Sequence, residues 1–218
     1  MPRPNVYERS VFINCPFSSD YQPIFRAILF VVYTCGFRPR CALELSDSIE
    51  NRLSKIEKII AESRLGIHDI SFTNIDQKTK LPRFNMPFET GMFFAAKRFG
   101  AGQQKRKVAL VLDEKGYRYR NSLSDISGQD ISIHKGIAKT AIRQIRDWLD
   151  TCQGGNIPYR EAITSTGNIK NFAATYPLHP NNYDCGRASS RTPTPAEPSK
   201  HGLKTMRNCC VTAVRQSA

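Results

Sequence analysis

Short apolar runs alternate along this chain with longer stretches of helical period. Ser10-Val11-Phe12-Ile13-Asn14 predicts a short buried strand. Cys15-Pro16-Phe17-Ser18-Ser19-Asp20 interrupts it, and Asp20 stands where a helix N-cap would. A helix is expected over Tyr21 to Thr34, with Pro23 tolerated in its first turn. Its apolar residues occupy more than one face, so it must be largely buried or covered by a partner. Cys35-Gly36 ends it. Phe37 to Leu43 predicts a second strand, and Pro39 within it argues for a sheet edge.

Asp47 and Glu50 have the spacing of a capping box, ahead of a surface helix carrying Ile49, Leu53, Ile56, Ile59 and Ile60. Arg64 to Ile70 predicts the third strand. His68 and Asp69 are neighbours there, so they point to opposite faces and cannot pair with each other. A polar loop from Ser71 to Pro82 leads into a helix running to about Phe99. Val108 to Asp113 is apolar on both faces, as a central parallel strand would be. Ile131-Ser132-Ile133 predicts a short fifth strand, and Lys135 to Asp150 a final helix.

This alternation implies an α/β fold: a doubly wound, flavodoxin-like parallel sheet of order 2-1-3-4-5 with helices on both faces. Residues 1–9 read as a lead-in and 10–152 as the α/β domain. Residues 153–185 read as a small appendage, and 186–218 as a disordered tail rich in Ser, Thr and Pro.

In such sheets ligands bind beyond the carboxyl ends of the strands, at the switch point between strands 1 and 3. That rule gathers Asn14, Cys15, Pro16, Phe17, Ser18 and Asp20 from the first loop. It adds Asp69 and Ser71 after strand 3, then Asn85 and Glu89. Asp113 and Tyr117 fall further along the rim, and Asp125 and Asp130 lie in a loop able to fold over it. No glycine-rich phosphate motif follows strand 1, which disfavours a dinucleotide-binding Rossmann site or a P-loop.

Arg83-Phe84-Asn85-Met86-Pro87-Phe88-Glu89-Thr90-Gly91-Met92-Phe93-Phe94-Ala95-Ala96 is the chain's most unusual stretch, because it sets one carboxylate, Glu89, in an otherwise apolar helical run. Glu89 has two readings: an acid in a first turn, favoured by the helix dipole, or a catalytic carboxylate.

Composition adds limits. The net charge of +13 draws anionic partners, nucleic acid or nucleotides, although residues 186–218 hold six basic side chains against one acid. Nucleic-acid binding is the weakest of these readings, and a solvated basic surface explains the charge as well. No apolar run is long enough to span a bilayer and no signal peptide is visible, so a cytoplasmic protein without membrane contact is expected. The seven cysteines have no zinc-ligand spacing; reduced, mostly buried thiols and no metal are expected.

Asn14-Cys15-Pro16-Phe17, Ile67-His68-Asp69 and Pro87-Phe88-Glu89-Thr90-Gly91 together resemble the nucleoside 2-deoxyribosyltransferase-like group, related in fold to bacterial TIR domains. The likeness covers roughly residues 10–113, and Thr90 stands where that group usually has leucine. The chain is also similar to bacterial proteins that open with Ile-Asn-Cys-Pro-Phe and carry Arg-Phe-Asn-Met-Pro-Phe-Glu. The resemblance implies Glu89 as nucleophile or oxocarbenium stabiliser and Asp69 as an acid that helps hold sugar or base.

The implied chemistry is cleavage or transfer of an N-glycosidic bond on a nucleoside, nucleotide or NAD, each a substrate rather than a cofactor. Asn14, Asp69 and Asn85 would hold ribose hydroxyls. Phe17, Phe84, Phe88 and Met92 would form an apolar wall for the base, with Pro16 and Asp20 shaping the loop opposite. The alternative is a TIR-like module that senses a nucleotide or docks a protein without turnover, using the apolar Tyr21–Thr34 helix to assemble as a homo-oligomer.

Overall fold

The computed structural model describes residues 5–44, 50–71 and 81–155. The expected capping box at Asp47, the loop over 72–80, and nearly all of the appendage and the tail lie outside them. Five strands form one sheet: β1 (Ser10–Asn14), β2 (Arg38–Cys41), β3 (Leu65–Asp69), β4 (Val108–Asp113) and β5 (Ile131–Ile133). All pairings are parallel and the order is β2-β1-β3-β4-β5. Val11 stands opposite Leu65, which stands opposite Val108. Pro39 lies on the edge strand β2, where the hydrogen bond it cannot donate is least missed.

The helices are α1 (Val6–Arg9), α2 (Gln22–Thr34), α3 (Arg52–Ala61), α4 (Asn85–Phe99) and α5 (Ala138–Cys152). Successive side chains of a strand point to opposite faces, and those of β1 enter two different clusters. Val11 and Ile13 pack with residues of α2 and α5, and Phe12 packs with Ile56, Ile59, Ile60 and Phe93 of α3 and α4.

Helix α2 ends where glycine allows it to. Gly36 adopts φ +79°, Gly36 N–H donates to Tyr33 O and Phe37 N–H donates to Val32 O, a Schellman cap. Eight of the thirteen α2 residues are buried, in one cluster with β1 and with Ala141, Ile142, Ile145 and Leu149 of α5. The apolar helix expected to serve as an assembly interface is thus covered from within the chain.

Several boundaries differ from the sequence reading: α1 lies within the expected lead-in, β2 and β3 are shorter than expected, and α2 starts at Gln22 after a short turn. Helix α3 is capped by Asn51, whose side chain accepts from Leu53 N–H at 2.8 Å, so the helix starts past the expected box. Helix α5 starts at Ala138, because Lys135 (φ 58°) and Gly136 (φ 68°) form a left-handed turn closed by Ile137 N–H donating to His134 O. Among the described residues no helix is long and apolar enough to cross a membrane.

Candidate functional site

Helix α4 resolves the puzzle of its own composition. Its buried residues are Met86, Glu89, Thr90 and Phe93, a single stripe at helical spacing. Phe88 and Phe84 are more than half exposed. The apolar look of the sequence therefore hides a one-sided helix, and Glu89 occupies one of its core-facing positions. It is the fifth residue of the helix, past the first turn, and that first turn holds no acid. The dipole explanation for Glu89 consequently loses its geometric basis.

Glu89 is 7% exposed, and among the described residues no hydrogen bond or ion pair holds its carboxylate. Burial raises its pKa from 4.5 to about 7, opposed in part by the charge of Arg52 at the start of α3. A buried carboxylate without partners is costly to ionise. Groups of this kind cluster at sites where a carboxylate has chemical work, although structural networks also produce them.

Asn14, at the end of β1, is 2% exposed. Its Nδ2 donates to Met86 O at 2.8 Å, and lies 3.3 Å from both Thr90 Oγ1 and His68 Nδ1. These contacts bring the first turns of α4 to the carboxyl end of β1. Glu89 thereby stands near Cys15, whose thiol is pushed well above its usual range by burial first, then by the charges of Asp69, Cys41 and Glu89.

Asp69, at the end of β3, is fully buried. Its Oδ2 accepts from Tyr21 Oη at 2.5 Å and lies 3.0 Å from His134 Nε2, which also lies 3.0 Å from Ser71 Oγ, and its Oδ1 accepts from Ser71 N–H at 2.8 Å and from Ser71 Oγ. A carboxylate offers about four lone-pair sites, and three of them are taken by donors from within the chain. Burial, and then Asp69, hold the Tyr21 hydroxyl far above its ordinary pKa. His134 Nδ1 accepts from Gly136 N–H at 3.0 Å, which puts the ring proton on Nε2, facing Asp69.

The remaining expected residues divide between core and surface. Pro16 is buried and Phe17 half-buried, edge-on to Phe25 at 5.3 Å between centroids. Asp20 is exposed and accepts from Ser19 Oγ, so it does not cap α2, whose N-cap Tyr21 makes no side-chain capping bond. Asn85 and Phe88 are exposed at the start of α4. Met92 is half-buried. A small crevice lies beside this end of α4, between Pro82, Arg83, Phe84 and Pro87 and the facing Ser122 and Leu123. The rim residue Asp113 is fully buried; Arg118 donates to its Oδ1 at 2.7 Å, while Oδ2 has no partner. Burial raises the Asp113 pKa, and Arg118 pulls against that. Tyr117 is exposed with φ 61°.

His68 behaves as the strand geometry requires. It is fully buried on the α4 side, among Phe12, Phe93 and Phe94, and away from Asp69's partners. Burial, aided by Lys107, lowers its pKa to about 3.

Sequence reasoning missed His134, Tyr21, Arg118 and Arg52. His134 directly follows β5, so the strand-end rule that selected Asp69 also covers it. Tyr21 and Arg52 offered no signal, since each looks like an ordinary helix-start residue.

No protein-family model, no curated protein and no solved structure matches this chain.

Proposed function

We propose that this chain breaks or transfers an N-glycosidic bond of a nucleoside, a nucleotide or NAD, with Glu89 as its working carboxylate. The observation that carries this reading is the burial of Glu89, with no hydrogen-bonding partner for its carboxylate among the described residues, beside the carboxyl end of β1. When the bond from the anomeric carbon to the base breaks, the bonding pair leaves with the base and positive charge develops on the sugar. A desolvated carboxylate stabilises that charge or closes on the anomeric carbon as an ester, which water or an acceptor alcohol then opens. A nicotinamide leaves as a neutral ring and needs no proton, whereas a neutral nucleoside base needs an acid.

Phe17, Phe88 and the crevice at Phe84 supply apolar surface for a base, and Asn85 supplies an exposed amide for sugar hydroxyls. Asp69 supports the site from beneath by tying β3 to Tyr21 and His134.

The test is incubation with a panel of nucleosides, nucleotides and NAD, with released base read by chromatography and Glu89→Gln as control. Base release by the wild type and its loss in Glu89→Gln is the expected result. Equal cleavage by both proteins would remove Glu89 from the chemistry.

The exposure of Leu81, Phe84 and Phe88 in one stretch favours a second reading, a module that holds a nucleotide or docks a protein without turnover. A nucleotide that raises the melting temperature with no product released would select it.

A further inference from the structure

We infer that Asn14 is a positioning residue for Glu89, its amide nitrogen holding the first turns of α4 against the end of β1. The Asn14 amide has two N–H hydrogens, and three acceptors surround its nitrogen: Met86 O at 2.8 Å, Thr90 Oγ1 at 3.3 Å and His68 Nδ1 at 3.3 Å. No N–H remains for a ligand, and these three contacts all fall on the amide nitrogen. Thr90 Oγ1 itself donates to Met86 O at 2.7 Å, so Asn14, Met86 and Thr90 close a small ring of bonds.

That ring brackets Glu89 along the helix: Met86 lies one turn before it and Thr90 directly after. Among the described residues no partner holds the Glu89 carboxylate. Its place in the buried stripe is therefore set by its neighbours, and those are anchored by Asn14. His68 contributes the third acceptor only because it stays neutral, packed between Phe12 and Phe93. Without the Asn14 amide the first turns of α4 lose a polar tie to the sheet, and the carboxylate gains hydration.

The inference rests on the reading of Glu89 as the working carboxylate, but its test needs no substrate. The Glu89 carboxyl is titrated by carbon NMR in the full chain, its signal assigned by loss in Glu89→Gln. The wild type is expected to titrate near 7. Asn14→Ala should move that titration down by roughly one pH unit or more, as hydration restores the ordinary carboxylate. Thr90→Val should move it the same way, and Thr90→Ser, which keeps the hydroxyl, should titrate as wild type.

Folded Asn14→Ala and Thr90→Val proteins that both titrate as wild type would overturn the inference. So would an Asn14→Ala protein that loses nucleotide affinity with no shift at Glu89, because Asn14 would then belong to the ligand wall. Should Asn14→Ala fail to fold, the Thr90→Val and Thr90→Ser pair decides alone. If the titrations shift as expected but Glu89→Gln still cleaves, the positioning stands and the N-glycosidic reading falls.

Discussion

His134 Nε2 lies 3.0 Å from Asp69 Oδ2, joining the end of β5 to the end of β3 across the intervening β4. Both residues are buried, and Tyr21 and Ser71 complete the shell around the carboxylate. Removing the acid strands a buried hydroxyl and a buried imidazole N–H. Asp69→Ala is expected to lower stability by about 3–5 kcal/mol. The measurement is the urea midpoint, and a loss under 1 kcal/mol would show that the shell is not cooperative. A cycle of Asp69→Asn with His134→Ala should give a coupling of at least ~1 kcal/mol, since the two share one network.

Glu89 governs the pH dependence of turnover in the proposed reaction. A nucleophile or cation stabiliser must be ionised, and burial keeps this carboxyl protonated up to about pH 7. Base release should climb as pH rises from 6 to 8, with its midpoint near 7. Glu89→Gln should reduce the rate by on the order of 10³-fold. A rate unchanged across that range would place the rate-determining ionisation elsewhere.

The same group leaves a signature in stability that needs no substrate. The folded pKa of Glu89 is raised from 4.5 to about 7, so the folded chain keeps a proton that the unfolded chain releases. Stability from this group therefore falls as pH rises through that window. His68 acts in the opposite sense. Its folded pKa is lowered from 6.5 to about 3, so the unfolded chain takes up a proton as pH falls below 6.5 and stability is lost. The two slopes oppose each other between about pH 4.5 and 6.5. Between pH 6 and pH 5, Glu89→Gln should lose about 1 kcal/mol more than wild type in urea denaturation. Parallel curves for the two proteins would mean that Glu89 is hydrated.

Gly66 is the small residue that lets His68 stay where it is. A Cβ there would fall 2.5 Å from His68 Nε2 and 2.8 Å from Phe93 Cζ. Both rings are buried and neither is free to swing aside. Gly66→Ala is expected to destabilise by about 1–3 kcal/mol through overpacking. Calorimetric melting checks this, and a neutral substitution would mean that the rings repack easily.

Lys107 is a fully buried amine whose ionisation depends on its surroundings. Its Nζ donates to Ile60 O at 2.5 Å and to Ser63 O, at the carboxyl end of α3, and lies 4.5 Å from the Phe93 ring centroid. Burial lowers its pKa to about 8. Lys107→Met keeps the stem and removes the donors; Ile60 O keeps its bond from Ser63 N–H, while Ser63 O loses the Lys107 bond. A loss of about 1–3 kcal/mol is expected, read from the urea midpoint.

The sequence by itself determined the strand order and the bounds of three of the five strands. Periods of two and of 3.6 residues are written in near neighbours, as in Ser10–Asn14 and Val108–Asp113, which the structure reproduces residue for residue. The stop at Gly36 and the edge position of Pro39 were equally local, because each follows from one residue's backbone limits. The divergence of His68 and Asp69 followed from strand geometry alone. Burial could not be read in this way. Whether Glu89 faced water or the core depended on Asn14 reaching Met86 and Thr90, and whether Asp69 was free depended on Tyr21 and His134. Those contacts join residues far apart in the chain, and their desolvation is a property of the packed whole. Tertiary structure thus decided the chemistry of two carboxylates whose positions the sequence had already marked.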